Sequence, residues 1–581
     1  MCVISFKQSV LFTLKCYTAM VQEVEKLWLK SYPKGVPETV NPDHFGSLLE
    51  FIDDCLKQYG DKPGYENLGV ILTYNEVDKL AKQFAAFLQK RGLKKGDRIA
   101  IQMPNMIQYA IATMGALRAG LTVVNTNPLY TPQEMRHQFN DSGATAIVIV
   151  ANFAASLQSI LPETKLKTVI ITEIADVVPG IKGWVMNMAI KYVKKMVPPY
   201  DIPGAIKFND ALAEGAKAKY TKPDVQSNDL AFLQYTGGTT GVSKGAMLTH
   251  RNILANMEML VAWTFFKLDK PGEEIIITAL PLYHIFALTF NFFGPMRYGA
   301  KNVLITNPRD MDGFVAELKK HKFSVISGVN TLFNGLLNHP EFANCDFSHL
   351  KISLGGGMAV QDAVAEKWEK VTGCILNEAY GLTETSPGLT VNPMDGTHRR
   401  GYIGLPLPST EIGIFSDDNQ HLPLGERGEI WARGPQVMSG YWQRPDETAN
   451  VMHNGWFKTG DIGIMDERGF IKIVDRKKEM ILVSGFNVYP NEVENAIALH
   501  PKVLEVGVIG VPDDKSHEAV KAFIVKKDES LTAEEIKEFC KQHLTGYKVP
   551  KHVEFRTELP KTNVGKILRR VLKETDTTIK K

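Results

Sequence analysis

With 581 residues, 44% of them hydrophobic, the chain is too long for a small binding module and is expected to fold into several domains. Its 67 basic and 64 acidic residues are mixed along the sequence and leave a net charge of only +3, which argues against a nucleic-acid-binding protein. Six scattered cysteines form no C-x-x-C pair, which argues against a disulfide framework or a structural zinc site and favours the reducing cytoplasm.

The pattern of the chain predicts two domains and no membrane span. No stretch approaches the ~18 to 20 uninterrupted apolar residues that a membrane-spanning helix requires, so a soluble or peripheral protein is expected. Residues 1–40 are interpreted as an N-terminal extension with helical potential, in which Met20 offers an alternative start. A large domain is predicted over residues 41–477 and a small one over residues 478–581, because the pattern changes after about Asp475.

The sequence of the large domain predicts alternating helices and strands. A capping box at Thr73 to Glu76 starts a helix whose apolar residues recur at three- and four-residue spacing until Gly92. Alternation of such helices with apolar runs implies α/β layers. Strands are predicted at residues 98–103, 146–150, 169–172, 230–235, 275–280 and 323–327, with shorter β-rich elements at 411–415 and 428–433.

Residues 184–200 form a predicted surface helix with two different sides. Trp184, Met188, Tyr192 and Met196 can share one helical stripe, and the lysines of the other side are Lys191, Lys194 and Lys195. This pattern is typical of a helix that lies on an anionic bilayer, and it fits a surface helix docked on its own core equally well.

The strongest local signal is the segment from Tyr235 to Gly245, which combines four glycines, several hydroxyl groups and one lysine. Glycines allow backbone N–H groups to approach an anion closely, and Lys244 adds a positive charge, so the loop predicts a phosphate site. Thr249 is expected to cap a helix that begins near Arg251, which gives the order strand, loop and helix. A Walker A loop requires Gly-Lys-Ser/Thr, and because Lys244 lies between Ser243 and Gly245 the sequence gives little support for a P-loop kinase or GTPase.

After about residue 475 the sequence predicts a small α+β unit. Helices are expected at residues 491–499 and 533–543, with a strand at 503–511 between them. A unit of ~100 residues is large enough to fold independently.

Four more motifs follow the glycine-rich loop in a fixed order: Tyr380-Gly381-Leu382-Thr383-Glu384, Thr459-Gly460-Asp461, Asp475-Arg476-Lys477-Lys478 and Lys561-Thr562-Asn563-Val564-Gly565-Lys566. Together the five motifs resemble those of the adenylate-forming superfamily, which contains acyl-CoA synthetases, luciferases and peptide-synthetase adenylation domains. Residues 454–478 also resemble the fatty-acyl-CoA synthetase signature, and the resemblance to bacterial long-chain fatty acid–CoA ligases extends over nearly the whole chain. It implies a large multi-subdomain α/β domain that binds AMP and a small, mobile α+β domain.

The resemblance implies ATP, Mg²⁺ and coenzyme A as ligands and assigns residues to them. The Tyr380 ring would stack on adenine, and Asp461 and Arg476 would contact the ribose. Glu384 and Thr239 would hold Mg²⁺, a hard cation that prefers oxygen ligands. The full ATP set is Thr236, Gly237, Gly238, Thr239, Thr240, Gly241, Lys244, Gly355, Gly356, Gly357, Tyr380, Gly381, Thr383, Asp461, Arg476 and Lys566.

Lys566, with Glu384 and Thr239, makes up the implied catalytic set. The resemblance places Lys566 at the substrate carboxylate and the α-phosphate, where negative charge accumulates. It also implies that the small domain rotates about a hinge at Lys478, after which Ser484, Gly485 and Phe486 face the site and Gly485 lets the pantetheine of coenzyme A pass close to the backbone.

A fatty-acid pocket is expected near Tyr283 to Leu288. The resemblance places this segment at the acyl pocket, where His284 could line the carboxylate end, although a satisfied buried histidine explains His284 nearly as well. Phe286 and Val329 are the apolar residues predicted to line the pocket. Together with Phe290, Leu332 and Phe333 they could form a tunnel, or they could equally be plain core.

The implied activity joins a long-chain fatty acid to AMP and then to coenzyme A, and it feeds fatty acid degradation and lipid metabolism. An acyl-AMP ligase that delivers to a carrier protein, or a synthetase for medium-chain or aryl acids, stays open as an alternative. From another class, a catalytically silent lipid-binding protein is disfavoured by the charged groups at Lys244, Glu384, Asp461 and Lys566. A cytoplasmic location, with peripheral contact to the inner membrane face, is expected, and family precedent hints at a homodimer.

Overall fold

The computed structural model describes residues 26–236, 243–476, 479–484, 486–513, 516–562 and 565–576, and for residues 475, 476 and 487 it describes the backbone alone. Within these ranges the chain forms four β-sheets with helices packed between and around them.

The strands, in chain order, are β1 Pro63–Asn67, β2 Val70–Thr73, β3 Arg98–Gln102, β4 Thr122–Asn125, β5 Ala146–Val150, β6 Thr168–Thr172, β7 Ile206–Lys207, β8 Leu230–Thr236, β9 Lys244–Thr249, β10 Ile275–Thr278, β11 Lys301–Leu304, β12 Val325–Gly328, β13 Ile352–Gly355, β14 Leu376–Gly381, β15 Gly388–Val391, β16 Leu405–Pro406, β17 Glu411–Phe415, β18 Gly428–Arg433, β19 Met452–His453, β20 Trp456–Met465, β21 Ile471–Arg476, β22 Ile481–Val483, β23 Phe486–Val488, β24 Val503–Asp513, β25 His517–Lys526 and β26 His552–Arg556.

The α-helices are α1 Leu48–Tyr59, α2 Tyr74–Lys90, α3 Ile107–Arg118, α4 Pro132–Ser142, α5 Ala154–Ile160, α6 Gly180–Met188, α7 Phe208–Ala216, α8 His250–Thr264, α9 Ile285–Ala287, α10 Gly294–Tyr298, α11 Met311–Leu318, α12 Asn330–Asn338, α13 Asp362–Thr372, α14 Pro445–Val451, α15 Pro490–Ala498, α16 Ala533–His543 and α17 Arg569–Thr575. Short 3-10 segments lie at Leu27–Ser31, Ala151–Phe153, Leu161–Glu163, Phe265–Lys267, Phe342–Asn344, Thr383–Thr385 and Gly546–Lys548, and π-helical turns at Ala189–Val193 and Leu288–Phe293.

The two largest sheets are mostly parallel and carry the candidate site at their carboxyl edges. One has the strand order β7-β6-β5-β3-β4-β8-β9, and the other β16-β15-β14-β13-β12-β10-β11-β1-β2. Every side chain of β5 and of β12 is buried, as expected for parallel strands covered on both faces by helices. This arrangement confirms the predicted α/β class of the large domain.

Two smaller sheets follow along the chain. An antiparallel sheet of β17, β18, β20, β19 and β21 carries Asp461 on β20. The last sheet, with the order β23-β22-β25-β24 and β26 beside β25, is packed with helices α15, α16 and α17 into the small C-terminal α+β unit that the sequence predicts. No helix within the described ranges is long and apolar enough to cross a membrane.

Two sequence-based expectations differ from the structure. The glycine-rich loop does not lead directly into a helix, because β9 lies between the loop and α8, although Thr249 caps α8 as predicted. The helix predicted at residues 184–200 begins earlier, at Gly180, and ends in the π-helical turn Ala189–Val193, so Met196 lies beyond its last turn.

Candidate active site

The glycine-rich loop connects two antiparallel strands whose ends are fixed against each other. Thr236 at the end of β8 pairs with Lys244 at the start of β9. The predicted residues Gly237, Gly238, Thr239, Thr240 and Gly241 lie outside the described residues. The pairing of Thr236 with Lys244 therefore fixes the two ends of the glycine-rich loop.

Side chains from two other segments, helix α4 and the residues just before α14, hold this hairpin. The Tyr235 hydroxyl donates to Asp141 Oδ2 at 2.7 Å, and Arg444 forms an ion pair with Asp141 Oδ1 at 2.5 Å. On the other side of the loop, His137 Nε2 lies 2.9 Å from the carbonyl oxygen of Ser243. Sequence reasoning missed Asp141, His137 and Arg444, because no local motif marks them.

Lys244 and Glu384, which belong to different motifs, meet at the side chain of Tyr441. The Tyr441 hydroxyl donates to Glu384 Oε1 at 2.6 Å, and the Lys244 ammonium lies 5.2 Å from the centre of the Tyr441 ring. Burial, reinforced by the Glu384 carboxylate, raises the pKa of Tyr441. Lys244 also forms an ion pair with Glu447 at 2.5 Å. The Lys244 ammonium and the Glu384 carboxylate thus both contact Tyr441 beside the glycine-rich loop. Neither Tyr441 nor Glu447 was predicted from the sequence.

The predicted adenine and ribose residues are in direct contact. The Tyr380 hydroxyl donates to Asp461 Oδ2 at 2.6 Å, although the two residues are 81 positions apart in the sequence. Asp461 pairs with Arg476 across β20 and β21, so the backbone of Arg476 runs beside it. Thr383 follows Gly381 in the adjoining 3-10 turn. These residues form one wall of the candidate nucleotide site.

Of the three predicted glycines at the end of β13, Gly356 and Gly357 lie against the predicted acyl pocket, whereas Gly355 lies against Val360. A Cβ atom on Gly356 would come within 2.9 Å of the Phe286 ring and 3.2 Å of the carbonyl oxygen of Ala379. Gly357 has a φ of +77°, and a Cβ there would lie 3.7 Å from Val329. The close approach and the positive φ both favour glycine at these positions.

Lys566 lies close enough to His284 for its charge to act on the imidazole. His284 is partly buried, and its Nδ1 accepts a hydrogen bond from Phe286 N at 3.3 Å, so the imidazole is held with Nδ1 unprotonated. Burial and, second, the positive charge of Lys566 lower the pKa of His284 to about 4. His284 is therefore neutral at physiological pH and leaves Lys566 as the cation at this point.

The segment that carries Lys566 is docked on the large domain. The Thr331 hydroxyl donates to the Gly565 carbonyl oxygen at 3.3 Å, and a Cβ on Gly565 would lie 3.2 Å from Val329. The backbone N–H of Lys566 donates to the Thr562 hydroxyl at 3.0 Å. The C-terminal unit thus presents Lys566 to the pocket formed by α12 and the segment around His284.

Among the residues predicted to guide coenzyme A, Ser484 and Phe486 are described, and both lie on a hairpin of the small domain. Ser484 lies at the tip of the hairpin formed by β22 and β23, and Phe486 is 57% exposed and stacks on Tyr547 with ring centres 4.9 Å apart. Lys478 and Gly485 lie outside the described residues. In this conformation the contact of Gly565 with Thr331 holds the Lys566 segment on the large domain, while Phe486 packs on Tyr547 of the small domain.

A buried asparagine holds the segment that leads to His284, and sequence reasoning missed it. Asn105 Nδ2 donates to the carbonyl oxygens of Thr278 and Leu280, at 3.1 and 2.9 Å, while its Oδ1 accepts from Leu282 N at 2.8 Å. Such an amide fixes three backbone groups of the strand end, but its partners are 173 or more positions away. Only the tertiary structure identifies it.

The buried carboxyl of Glu378, two residues before Tyr380, leads to a test of stability. Its Oε1 accepts a hydrogen bond from Val360 N at 2.9 Å, and burial raises the pKa of Glu378 to about 8. In the unfolded chain a glutamate ionises near pH 4.5, so the folded protein loses stability as the pH rises from about 4.5 to about 8. We expect Glu378→Gln, which has no such proton to lose, to be more stable than the wild type by on the order of 2 kcal/mol at pH 7.

Thermal unfolding at pH 5, 6.5 and 8 measures this difference. The gap between Glu378→Gln and the wild type should widen with pH, whereas the exposed control Glu467→Gln should follow the wild type throughout. A gap of constant size would contradict a raised pKa at Glu378.

Comparisons with known proteins identify the family of the chain. The model of the AMP-binding enzyme family matches residues 52–442, and that of the AMP-binding enzyme C-terminal domain matches residues 492–566. A long-chain-fatty-acid–CoA ligase of Yersinia pestis is 55% identical over 557 residues, which cover 96% of this chain and 99% of that protein.

Solved structures show the same fold. The crystal structure of the anthranilate CoA ligase AuaEII in complex with anthranoyl-AMP has a TM-score of 0.81 at 23% identity and covers 92% of this chain and 98% of its own. ATP-bound MatB from Rhodopseudomonas palustris has a TM-score of 0.74 at 28% identity, with 91% and 99% of the two chains covered. The similarity therefore spans both domains.

Proposed function

The chain belongs to the AMP-binding enzyme family, and from this premise we propose how its residues carry out the two steps of a long-chain fatty acid–CoA ligase. As an acid–thiol ligase, it first joins a fatty acid to AMP and releases pyrophosphate. It then transfers the acyl group to coenzyme A and releases AMP. The observation that carries the activity is 55% identity to a ligase of this specificity along nearly the whole chain.

In the first step a fatty carboxylate oxygen attacks the α-phosphorus of ATP. The bond from that phosphorus to the bridging oxygen of the β-phosphate breaks, and pyrophosphate leaves. Lys566 is proposed to contact both the carboxylate and the α-phosphate, where its charge stabilises the transition state more than the separated substrates. The proposal is supported by the docking of Gly565 on Thr331 and by the effect of Lys566 on His284.

The nucleotide is proposed to lie between the glycine-rich hairpin and the wall of Tyr380 and Asp461. The tyrosine ring offers a face for adenine, and the carboxylate can accept hydrogen bonds from both ribose hydroxyls. Gly355 to Gly357 give the base and the carboxylate room, and Lys244 is proposed to leave Glu447 for the phosphates.

Glu384 fits a magnesium site, with Thr239 as the second proposed ligand. The Tyr441 hydroxyl occupies Glu384 Oε1 and fixes the carboxylate, which has a second oxygen to offer to a hard cation. When bound, Mg²⁺ would neutralise charge on the phosphates. Glu384 would hold the ion, and the Tyr441 hydroxyl orients Glu384.

The second step needs different groups at the same acyl-adenylate. The thiolate of coenzyme A attacks the acyl carbon, and the bond to the AMP oxygen breaks. We infer that the small domain rotates about Lys478, which withdraws Lys566 and brings Ser484, Gly485 and Phe486 to the pocket. Phe486 is 57% exposed, which is consistent with a segment that serves only this step.

A long acyl chain suits the apolar surroundings of His284, Phe286 and Val329. Burying ~14 methylenes at about 0.8 kcal/mol each contributes roughly 11 kcal/mol as an upper bound. Such a substrate partitions into membranes, so we propose peripheral contact with the cytoplasmic membrane face and a product that feeds fatty acid β-oxidation. The homodimer that family precedent hints at stays a prediction.

Exchange of labelled pyrophosphate into ATP tests the proposal. With Mg²⁺ and palmitate the purified protein should catalyse this exchange, and adding coenzyme A should yield palmitoyl-CoA and AMP. A C6 to C20 acid panel separates the long-chain activity from the medium-chain and aryl alternatives. A folded protein that exchanges no pyrophosphate would refute the adenylate, and exchange without thioester formation would point to an acyl-AMP ligase.

A further inference from the structure

We propose that helix α6 and the turn after it form a docking surface for an anionic lipid bilayer. This exposed apolar face is defined by Ile181, Trp184, Val185, Met188, Tyr192 and Val193. The inference rests on the proposed function in one respect: long-chain fatty acids accumulate in membranes, so docking there would bring the protein to its proposed substrate. Its structural basis is independent of the active site.

The exposure of this face is unusual for such residues. Ile181 is 80% exposed, Val193 78% and Trp184 62%. By contrast, Trp28, Trp263, Trp368 and Trp431 are almost fully buried. A contiguous apolar face of this kind on a surface helix indicates a binding surface, since single scattered apolar residues are normal but clusters are not.

The inner side of α6 explains why its apolar residues point outward. Gly183 is buried there, and a Cβ atom on it would overlap the carbonyl oxygen of Val178. Asn187 accepts a hydrogen bond from Ala175 N at 2.9 Å and donates to Asp176 at 3.2 Å. The helix is therefore attached to its own domain through glycine and an amide, with its large apolar side chains on the outside. This contradicts the reading of a helix docked on the core by its apolar stripe.

Charge decides which partner fits this face. Lys182, Lys194 and Lys195 are exposed around it, and Lys191 lies beside the Tyr192 ring, with the ammonium 5.5 Å from the ring centre. No aspartate or glutamate occurs between Val177 and Tyr200. Each lysine near an anionic bilayer adds to the attraction, and tryptophan and tyrosine favour the interfacial region. Four lysines around an apolar centre fit an anionic lipid surface better than a neutral or cationic partner.

Flotation with vesicles of phosphatidylcholine and phosphatidylglycerol, mixed 3:1, tests the surface on the full chain. The wild type should float, and the triple variant Lys191→Glu, Lys194→Glu, Lys195→Glu should lose on the order of tenfold or more in partitioning. A matched control changes the same charge at exposed lysines elsewhere: Lys165→Glu, Lys217→Glu and Lys219→Glu. The control should bind as the wild type does.

Tryptophan fluorescence locates the contact. Vesicles should shift the fluorescence emission of the wild type to the blue. The Trp184→Phe variant should show no such shift, although it should still float with the vesicles. The rate of pyrophosphate exchange, measured with palmitate delivered on albumin and without vesicles, should be the same in all variants. This result separates loss of membrane docking from loss of the catalytic function. The proposal would be overturned if the wild type did not float, or if the control variant lost as much binding as the triple variant. It would also be overturned if the wild type were a dimer that Trp184→Ser dissociates, because the face would then bind a second copy of the chain.

Discussion

Replacing Lys566 by alanine should slow adenylation by about 10²- to 10³-fold while leaving thioester formation from supplied acyl-AMP largely intact. Two unit charges ~4 Å apart interact by roughly 4 kcal/mol at an effective dielectric of 20, which corresponds to about a thousandfold in rate. The neutral His284 beside it cannot replace that charge, because burial lowers the pKa of His284 to about 4. Pyrophosphate exchange measures the first step, and thiol consumption with synthetic palmitoyl-AMP measures the second.

The control for this experiment lies in the same C-terminal segment. Arg570 is exposed and pairs with Glu574 at 3.6 Å, so Arg570→Ala removes one positive charge four residues from Lys566 without touching the pocket. We expect it to retain exchange within about threefold, as surface ion pairs contribute little. Equal loss of both half-reactions in Lys566→Ala would contradict a role confined to adenylation.

Much of the fold could be predicted because local pattern determines local structure. The strands β5, β17 and β18 and the helix α16 have the bounds that the sequence predicts, and the capping boxes at Thr73 and Thr249 start α2 and α8. In each case the deciding signal, an apolar run or a cap, lies within a few residues of the element itself. Such signals need no knowledge of the tertiary structure.

The errors occurred where a distant partner decides the structure. β9 became a strand through its pairing with β8, and the short sequence Lys244 to Thr249 does not reveal that pairing. The helix after Gly180 ends early in a π-helical turn, which carries no strong sequence signal. Its outward apolar face depends on how the buried Gly183 packs, so periodicity alone left two readings open.

The candidate site shows the same division. Motifs identified Tyr380 and Asp461 separately, and the fold brings them into contact. Asn105, Asp141 and Tyr441 carry no motif, because their task is to position other groups through contacts that are distant in sequence. Residues that touch a ligand can therefore be found from pattern here, whereas those that support them require coordinates.

Replacing Asp461 by alanine should reduce kcat/KM for ATP by about 10²- to 10³-fold. The carboxylate is 4% exposed and is proposed to accept hydrogen bonds from both ribose hydroxyls, and bonds to a charged group contribute about 1.5 to 3 kcal/mol each. The change should appear mainly in KM if ribose is held equally in the ground and transition states. Initial rates of palmitoyl-CoA formation over a range of ATP concentrations separate the two parameters.

Loss of the Tyr380 contact is the alternative explanation, because alanine at 461 also leaves the Tyr380 hydroxyl without the carboxylate at 2.6 Å. Tyr380→Phe removes that hydrogen bond alone and keeps the ring for adenine, so we expect a loss of only a few-fold. Deoxy-ATP provides a second check: the 2′-deoxy substrate should lose on the order of tenfold with the wild type and little with Asp461→Ala, since the partner of the missing hydroxyl is then already gone. If Asp461→Ala and Tyr380→Phe lose activity equally, Asp461 orients the tyrosine and does not bind ribose.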